Sequence, residues 1–232
     1  MQYLGGKSKI RKQVKDVIEH YRGDREWYFE PFVGGGWVLQ EIEGKRIASD
    51  GNAALVTMYK ALQNGWVPPD YLSEDTWRQY KLNPKIDDPM TAFCRIGCGF
   101  GGDWNGGYAR SEGKDCYAAT TKRSLLKQLP LIQDVKFRYG LFHEHKPKGC
   151  IIYCDPPYQG TTQYGAFDGF DHELFWSTVR EWSKSNTVLV SEYQAPSDFN
   201  CVAEFPSRMG LRTEGFVNEV RTERMFILEG TR

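Results

Sequence analysis

The sequence predicts an α/β fold, a doubly wound and mostly parallel sheet with a loop-rich segment inserted in its middle. Three observations predict it. Residues 1–62 run as helix, strand, glycine turn, helix, strand, acidic residue and helix. An apolar run at 150–154 is stopped by two successive prolines, Pro156 and Pro157, as a buried strand would be at a sheet edge. Between these two regions the regular alternation is lost.

The elements follow in order. Ile10, Val14, Val17, Ile18 and Tyr21 recur three or four residues apart, which predicts a first helix, and Gly23 ends it. Residues 27–32 form a short strand broken by Gly34-Gly35-Gly36, and a helical run follows from 37 to about 43. Residues 46–49 are a strand ending at Asp50, and Ala53, Leu55, Val56, Tyr59 and Leu62 mark a helix. Residues 65–130 hold Pro68, Pro69, Pro84, Pro89 and the glycine-rich stretch 97–107, so this segment reads as an inserted, loop-rich subdomain. Strands resume at 135–139 and 150–154. Residues 172–184 form a helix with Asp171 as N-cap and with Leu174, Phe175, Val179 and Trp182 on one side. Further strands are expected at 187–191, 201–205 and 224–228, the last ones antiparallel. The chain thus divides at 1–64, 65–130 and 131–232.

Composition narrows the class. Of 232 residues, 40% are hydrophobic and 26% charged, which excludes long disorder and a disulfide-dense miniprotein. No apolar run approaches the ~18–20 residues of a membrane span. The first residues lack an apolar signal core, and the six cysteines show no framework spacing, so the thiols are expected reduced in a cytoplasmic protein. The formal net charge is +0, yet residues 1–22 and 110–138 each carry +4, compensated by an acidic tail from Asp168 onward. Two basic stretches permit a nucleic-acid face.

Three motifs carry chemistry. The first is Phe29-Glu30-Pro31-Phe32-Val33-Gly34-Gly35-Gly36, followed by Asp50. Glycines at a strand end let the backbone approach a ligand, and an acid closing the next strand can accept both hydroxyls of a ribose. Leu39 stands where the dinucleotide fingerprint needs its third glycine, and no phosphate-binding G-K-[ST] loop occurs here, which favours a cofactor without a pyrophosphate. The second is Asp155-Pro156-Pro157-Tyr158. Proline rigidity holds a carboxylate and a backbone carbonyl at fixed spacing, two acceptors for the two protons of an exocyclic amino group, and Tyr158 supplies a flat face for the base that carries it. The third is Tyr3-Leu4-Gly5-Gly6-Lys7, ahead of the first helix.

Together and in this order the motifs resemble the Dam-type, D12-class DNA adenine-N6 methyltransferases. The resemblance is good over residues 1–62 and 135–193 and loose between them. It implies a Rossmann-like methyltransferase sheet in which residues 1–64 bind cofactor, the insertion 65–130 recognises the target and residues 131–232 are catalytic. It implies S-adenosylmethionine as cofactor, held by Tyr3 and Lys7, by Glu30, Pro31, Phe32, Gly34 and Gly36, by Asp50 on the ribose with Asn52 beside it, and by Phe142 stacked on the cofactor adenine. Asp155, Pro156 and Tyr158 would be catalytic, with Asp155 also bordering the cofactor. Family members usually carry an acid before the aromatic, and Leu141 stands there instead. The stretch from Phe100 to Arg110 is similar to the family's recognition segment, with Asn105, Tyr108 and Arg110 as DNA contacts.

The expected partner is double-stranded DNA, with no membrane and no obligatory protein partner, in a bacterial or phage-infected cytoplasm. The same acceptor pair would suit cytosine N4, and a non-catalytic DNA-binding relative or a nicotinamide oxidoreductase are the other readings. His143-Glu144-His145 on a strand would lack a third metal ligand, and Cys94 with Cys98 lack a second pair, so no metal is expected. Phe175, Trp176 and Trp182 read as core.

Overall fold

The computed structural model describes residues 1–110, 117–160, 169–208 and 220–230. Seven strands form one sheet: β1 (Trp27–Glu30), β2 (Lys45–Asp50), β3 (Lys136–Tyr139), β4 (Cys150–Cys154), β5 (Thr187–Glu192), β6 (Phe199–Arg208) and β7 (Val220–Leu228). Their order is β3-β2-β1-β4-β5-β7-β6, with β1 to β5 parallel and β7 antiparallel to both β5 and β6. The helices are α1 (Arg11–Arg22), α2 (Ala53–Gln63), α3 (Glu74–Leu82), α4 (Pro89–Ala92), α5 (Ala118–Ile132) and α6 (His172–Ser183). This is the doubly wound, mostly parallel fold that the alternation predicts.

The strand period of two divides the core between the faces of the sheet. Tyr28, Ile151, Tyr153 and Leu189 join one apolar cluster with Val14 and Ile18 of α1 and Leu55 and Tyr59 of α2. Their neighbours Phe29, Ile152, Val188 and Val190 join the other, with Phe175, Trp176, Val179 and Trp182 of α6. All five residues of β4 are buried, as a central parallel strand requires. Asp171 caps α6 by accepting from the Leu174 amide, as expected, but Leu174 itself stays 38% exposed and lies outside the core stripe. Among the described residues no helix is long and apolar enough to cross a membrane. Cys94, Cys98, Cys150, Cys154 and Cys201 are free thiols.

Three expectations are corrected. The run after the glycine loop is a single 3-10 turn, Leu39–Glu41, rather than a helix from 37 to 43. Val38, Leu39 and Ile42 are buried, which gives helical spacing, but the Arg46 guanidinium donates to the Leu39 and Ile42 carbonyls and ends the turn there. The middle segment is more helical than its prolines and glycines suggest. Ser73 caps α3, Asp88 caps α4, and α5 buries Leu125, Gln128 and Ile132, with Gln128 bonded to the glycine loop. Residues 142–144 form a 3-10 turn, so His143 and His145 share no strand face. Lys114, in the second basic stretch, lies outside the described residues.

Asn186 shows how the sheet is pinned ahead of the site. Its side chain accepts from the Cys150 amide at 2.9 Å and donates to the carbonyls of Trp182 and Pro147, tying the starts of β4 and β5 to the end of α6. Asn186→Ala removes the side-chain partner of the buried Cys150 amide and of the Pro147 carbonyl, while the Trp182 carbonyl keeps the Ser185 and Asn186 amides. It is expected to cost about 1–3 kcal/mol, read as a lower urea midpoint; an unchanged midpoint would refute this role.

Candidate active site

The chain runs from β1 outward to β2 and β3, then crosses to β4 on the other side of β1. The strand order reverses between β1 and β4, so the loops leaving their carboxyl ends part and open a crevice. Glu30 closes β1, and Asp155 follows β4 directly. A cavity of about 290 Å3 lies there, lined among others by Tyr3, Lys7, Glu30, Phe32, Gly34, Gly36, Asp50, Phe142 and Asp155. These nine sequence-predicted residues thus meet around one cavity, although they come from five separate stretches of chain. Pro31 and Asn52 stand behind it. The Pro31 carbonyl accepts from Ser49, and the Asn52 side chain caps α2. Pro156 and Tyr158 adjoin the wall beyond Asp155.

The glycine loop is fixed from several sides. Asp50 accepts the Gly34 amide at 3.0 Å on one oxygen and the Asn52 amide at 2.8 Å on the other. The Tyr59 hydroxyl donates to the Gly34 carbonyl, and Gln128 of α5 donates to the carbonyls of Gly35 and Gly36. At Gly34 (φ +46°) an added Cβ would lie 2.8 Å from the Tyr3 ring, so glycine is required where the N-terminal segment crosses the loop. That segment is pinned from outside as well. The Leu4 amide donates to the Gly102 carbonyl, and a Cβ at Gly102 would lie 2.7 Å from the Tyr3 backbone.

Carboxylates crowd the crevice. Burial pushes Glu30 up to about 8, although the Tyr28 hydroxyl bonded to it at 2.6 Å works the other way. Burial likewise lifts Asp50 to about 6 against its two amide donors. Asp155 is raised to about 6 because desolvation outweighs Lys7, whose ammonium lies 2.6 Å from its Oδ1. Glu192, at the end of β5, accepts the amides of Gln159 and Tyr193 and is lifted by burial to about 7.

The far end of the cavity is aromatic. Phe142 packs 5.5 Å from Phe32 and 5.4 Å from Phe170, centroid to centroid. One end therefore suits a cation and the other a flat ring. Beyond Asp155, the Tyr158 hydroxyl donates to Glu223 at 2.6 Å, and Tyr193 meets its ring edge-on at 4.9 Å.

The three candidate DNA contacts lie away from this wall, in the middle segment. Asn105 and Arg110 are exposed. Arg110 pairs with Glu74, and Asn105 accepts from Arg95 at 3.3 Å. Tyr108 is turned inward, its hydroxyl donating to the Leu72 carbonyl and its ring packed near Trp77. Sequence reasoning passed over Phe170, Glu192, Tyr193 and Glu223, which reach the site through tertiary packing. It also passed over Phe100, which is 70% exposed on the turn that touches residues 3–4. An aromatic set among glycines was the signal available for the last.

Comparison with known proteins bears on this site. Residues 3–87 match the family model of D12 class N6 adenine-specific DNA methyltransferases. The Type II methyltransferase M.MjaIII of Methanocaldococcus jannaschii is 25% identical over 211 residues, 73% of this chain and 72% of the relative. Among solved structures, a candidate RNA methyltransferase of Pyrococcus horikoshii is similar over 95% of this chain and 81% of that one, with 8% identity and a TM-score of 0.43. An rRNA methylase of Streptococcus thermophilus is similar over 94% of each chain, with 7% identity and a TM-score of 0.40. The chain is an S-adenosylmethionine-dependent methyltransferase, and its likeness is to the D12 class.

The raised carboxyls set a pH dependence. Glu30 keeps its proton in the folded chain up to about 8 and loses it near 4.5 when unfolded. Across that window the folded state binds more protons, so stability falls as pH rises. The ligand-free protein is expected to melt at a lower temperature at the top of that window than at the bottom, and Glu30→Gln to flatten the decline. An equally steep decline in the variant would remove Glu30 as its source.

Proposed function

We propose that the chain methylates N6 of adenine in double-stranded DNA, acting on a base rotated out of the helix. The observation that carries this reading is the position of Asp155. It lies on the wall of the acid-lined cavity at the switch point, and the Tyr158 ring stands next to it on the side away from that cavity.

The residues present fit the cofactor. Asp50, Asp155 and Asp171 line the cavity against Lys7, beside a Glu30 that keeps its proton up to about 8, an acidic excess that suits a sulfonium with its ammonium. Phe142, Phe32 and Phe170 would hold its adenine, and Asp50 its ribose. When bound, S-adenosylmethionine supplies a methyl group on a cationic sulfur, passed to N6 as the carbon–sulfur bond breaks and a neutral thioether departs.

The protein's role is positioning and charge. The N6 lone pair is delocalised into the purine ring. Hydrogen bonds from the amino group to Asp155 and the Pro156 carbonyl would draw it toward tetrahedral geometry. Positive charge grows on N6 during transfer, where a carboxylate already stands to stabilise it. Asp155, raised to about 6, is also suited to take up the proton that N6 must shed. Extrusion of the base costs a few kcal/mol, and stacking on Tyr158, worth about 1–3 kcal/mol by analogy with single strands, offsets some of it.

The basic first helix and the exposed Arg110 support a duplex as substrate. The turn at Gly102 joins the middle segment to residues 3–4, so a duplex read by Arg110 would lie over the crevice. The ion pair with Glu74 is exposed and worth little, so a base or phosphate can displace it.

Incubation with unmethylated DNA and labelled cofactor, followed by nucleoside analysis, tests the reading. N6-methyladenine is expected; N4-methylcytosine alone, or no product, overturns it. Asp155→Ala is expected to lower methyl transfer by at least about 100-fold. Arg110→Ala is expected to weaken discrimination between DNA sequences by about 10-fold, read as the ratio of kcat/KM on preferred and other sites.

A further inference from the structure

We infer that Glu223 of β7 is a positioning residue of the transfer site, which fixes the Tyr158 ring and receives the Lys7 ammonium when the incoming base claims Asp155. The inference rests on the base-methylating reading above. Two contacts converge on Glu223. Its Oε1 accepts the Tyr158 hydroxyl at 2.6 Å and lies 3.1 Å from the Lys7 Nζ, while its side chain is only 14% exposed. The same ammonium lies 2.6 Å from Asp155 and 4.8 Å from the centre of the Tyr158 ring.

Lys7 therefore stands on the oxygen and over the ring that an extruded base needs. A base cannot bond Asp155 and stack on Tyr158 until the ammonium moves. Moving a largely buried ammonium away from its carboxylate with no second one in reach would be costly, because an uncompensated charge in a dry site is expensive. Glu223 removes that cost, since it is already within reach and needs no rearrangement of its own. Its second task is geometric. With the hydroxyl tied to Glu223 and Tyr193 against its edge, the Tyr158 ring is held before the base arrives. Strand β7 carries Glu223 next to the site because it pairs with β5, whose end supplies Glu192 and leads into Tyr193 at the same loop.

The test is a double-mutant cycle on the full chain. Glu223→Gln keeps an oxygen for Tyr158 but loses the charge that Lys7 needs. It is expected to lower kcat on unmethylated DNA by about 10-fold while KM for S-adenosylmethionine changes by less than about threefold. In a Lys7→Gln background the same substitution is expected to cost less than about twofold, because no ammonium remains to be received. A second readout needs no cofactor. A duplex carrying 2-aminopurine at the position that the wild type methylates is expected to brighten on binding the wild type and markedly less on binding Glu223→Gln.

Equal losses in both backgrounds, or wild-type brightening with the variant, overturn the inference while leaving the methyltransferase reading intact. A wild type that methylates no DNA overturns that reading and the inference together. Should Glu223→Gln not fold, Tyr158→Phe isolates the geometric half: it is expected to lower kcat about threefold or more at an unchanged melting temperature. Wild-type kcat in that variant overturns that half.

Discussion

The site depends on an imbalance of charge that the fold imposes. Parallel strands β1 and β4 end side by side, and each delivers an acid to the same crevice. Asp50 arrives from the next strand, and Lys7 is the sole lysine or arginine on the described cavity wall. Burial in a medium of low dielectric raises three of them to between about 6 and about 8, and neighbouring acids add to the rise of Glu30 and Asp155. The protein satisfies each by a different means. Tyr28 bonds Glu30, two backbone amides bond Asp50, and Lys7 pairs with Asp155. What remains is a deficit of positive charge, which the proposed cationic cofactor would fill. Complementarity here is electrostatic before it is steric.

The N-terminal segment makes that arrangement possible. Residues 3–7 precede the sheet in sequence yet lie across the glycine loop in space, wedged between Gly34 and Gly102. Both glycines have φ above +40°, and at both a side chain would collide with Tyr3. The segment is thus a strap tied on two sides, and it carries the buried Lys7 ammonium into the crevice. Its two glycine seats come from different regions of the chain, one beside β1 and one in the middle segment. Cofactor loop, strap and middle segment consequently hold one another.

Much of this was legible in the sequence, for identifiable reasons. Strand β4 is apolar throughout and β5 is apolar at 188–190 because both faces of a central parallel strand are covered, and such runs stand out. Asp155 and Asp50 were found because strand ends in an alternating fold fall on one side of the sheet. The helical reading of 37–43 failed because burial of a single turn mimics the spacing of a longer helix. The middle segment read as loops because local prolines and glycines outweighed the weaker helical signals of α3 and α5. Glu192 and Glu223 were beyond reach for a different reason. Each is one acid among many in the chain, and only the pairing of β5 with β4 and of β7 with β5 brings them near Asp155. Local pattern reveals what a strand end presents, whereas partners supplied by sheet order require the sheet.

The family-model match over residues 3–87 runs from the cavity wall into the middle segment, and the two regions are held differently. The cavity wall is set by hydrogen bonds to backbone atoms and by acids with several partners, so each of its residues is constrained by others. The middle segment meets that framework through the Leu4 amide on the Gly102 carbonyl and the Gln128 side chain on the carbonyls of Gly35 and Gly36. Within the segment, Thr121 donates to the Gly97 carbonyl at 2.5 Å, and Lys81 donates to the carbonyls of Asn105 and Gly106. Contacts of this kind fix where the loop lies while leaving its exposed side chains free to differ. Asn105, Arg110 and Phe100 could change without disturbing Asp155 or Asp50. A chain built this way would hold its cavity wall while the exposed side chains of the middle segment vary.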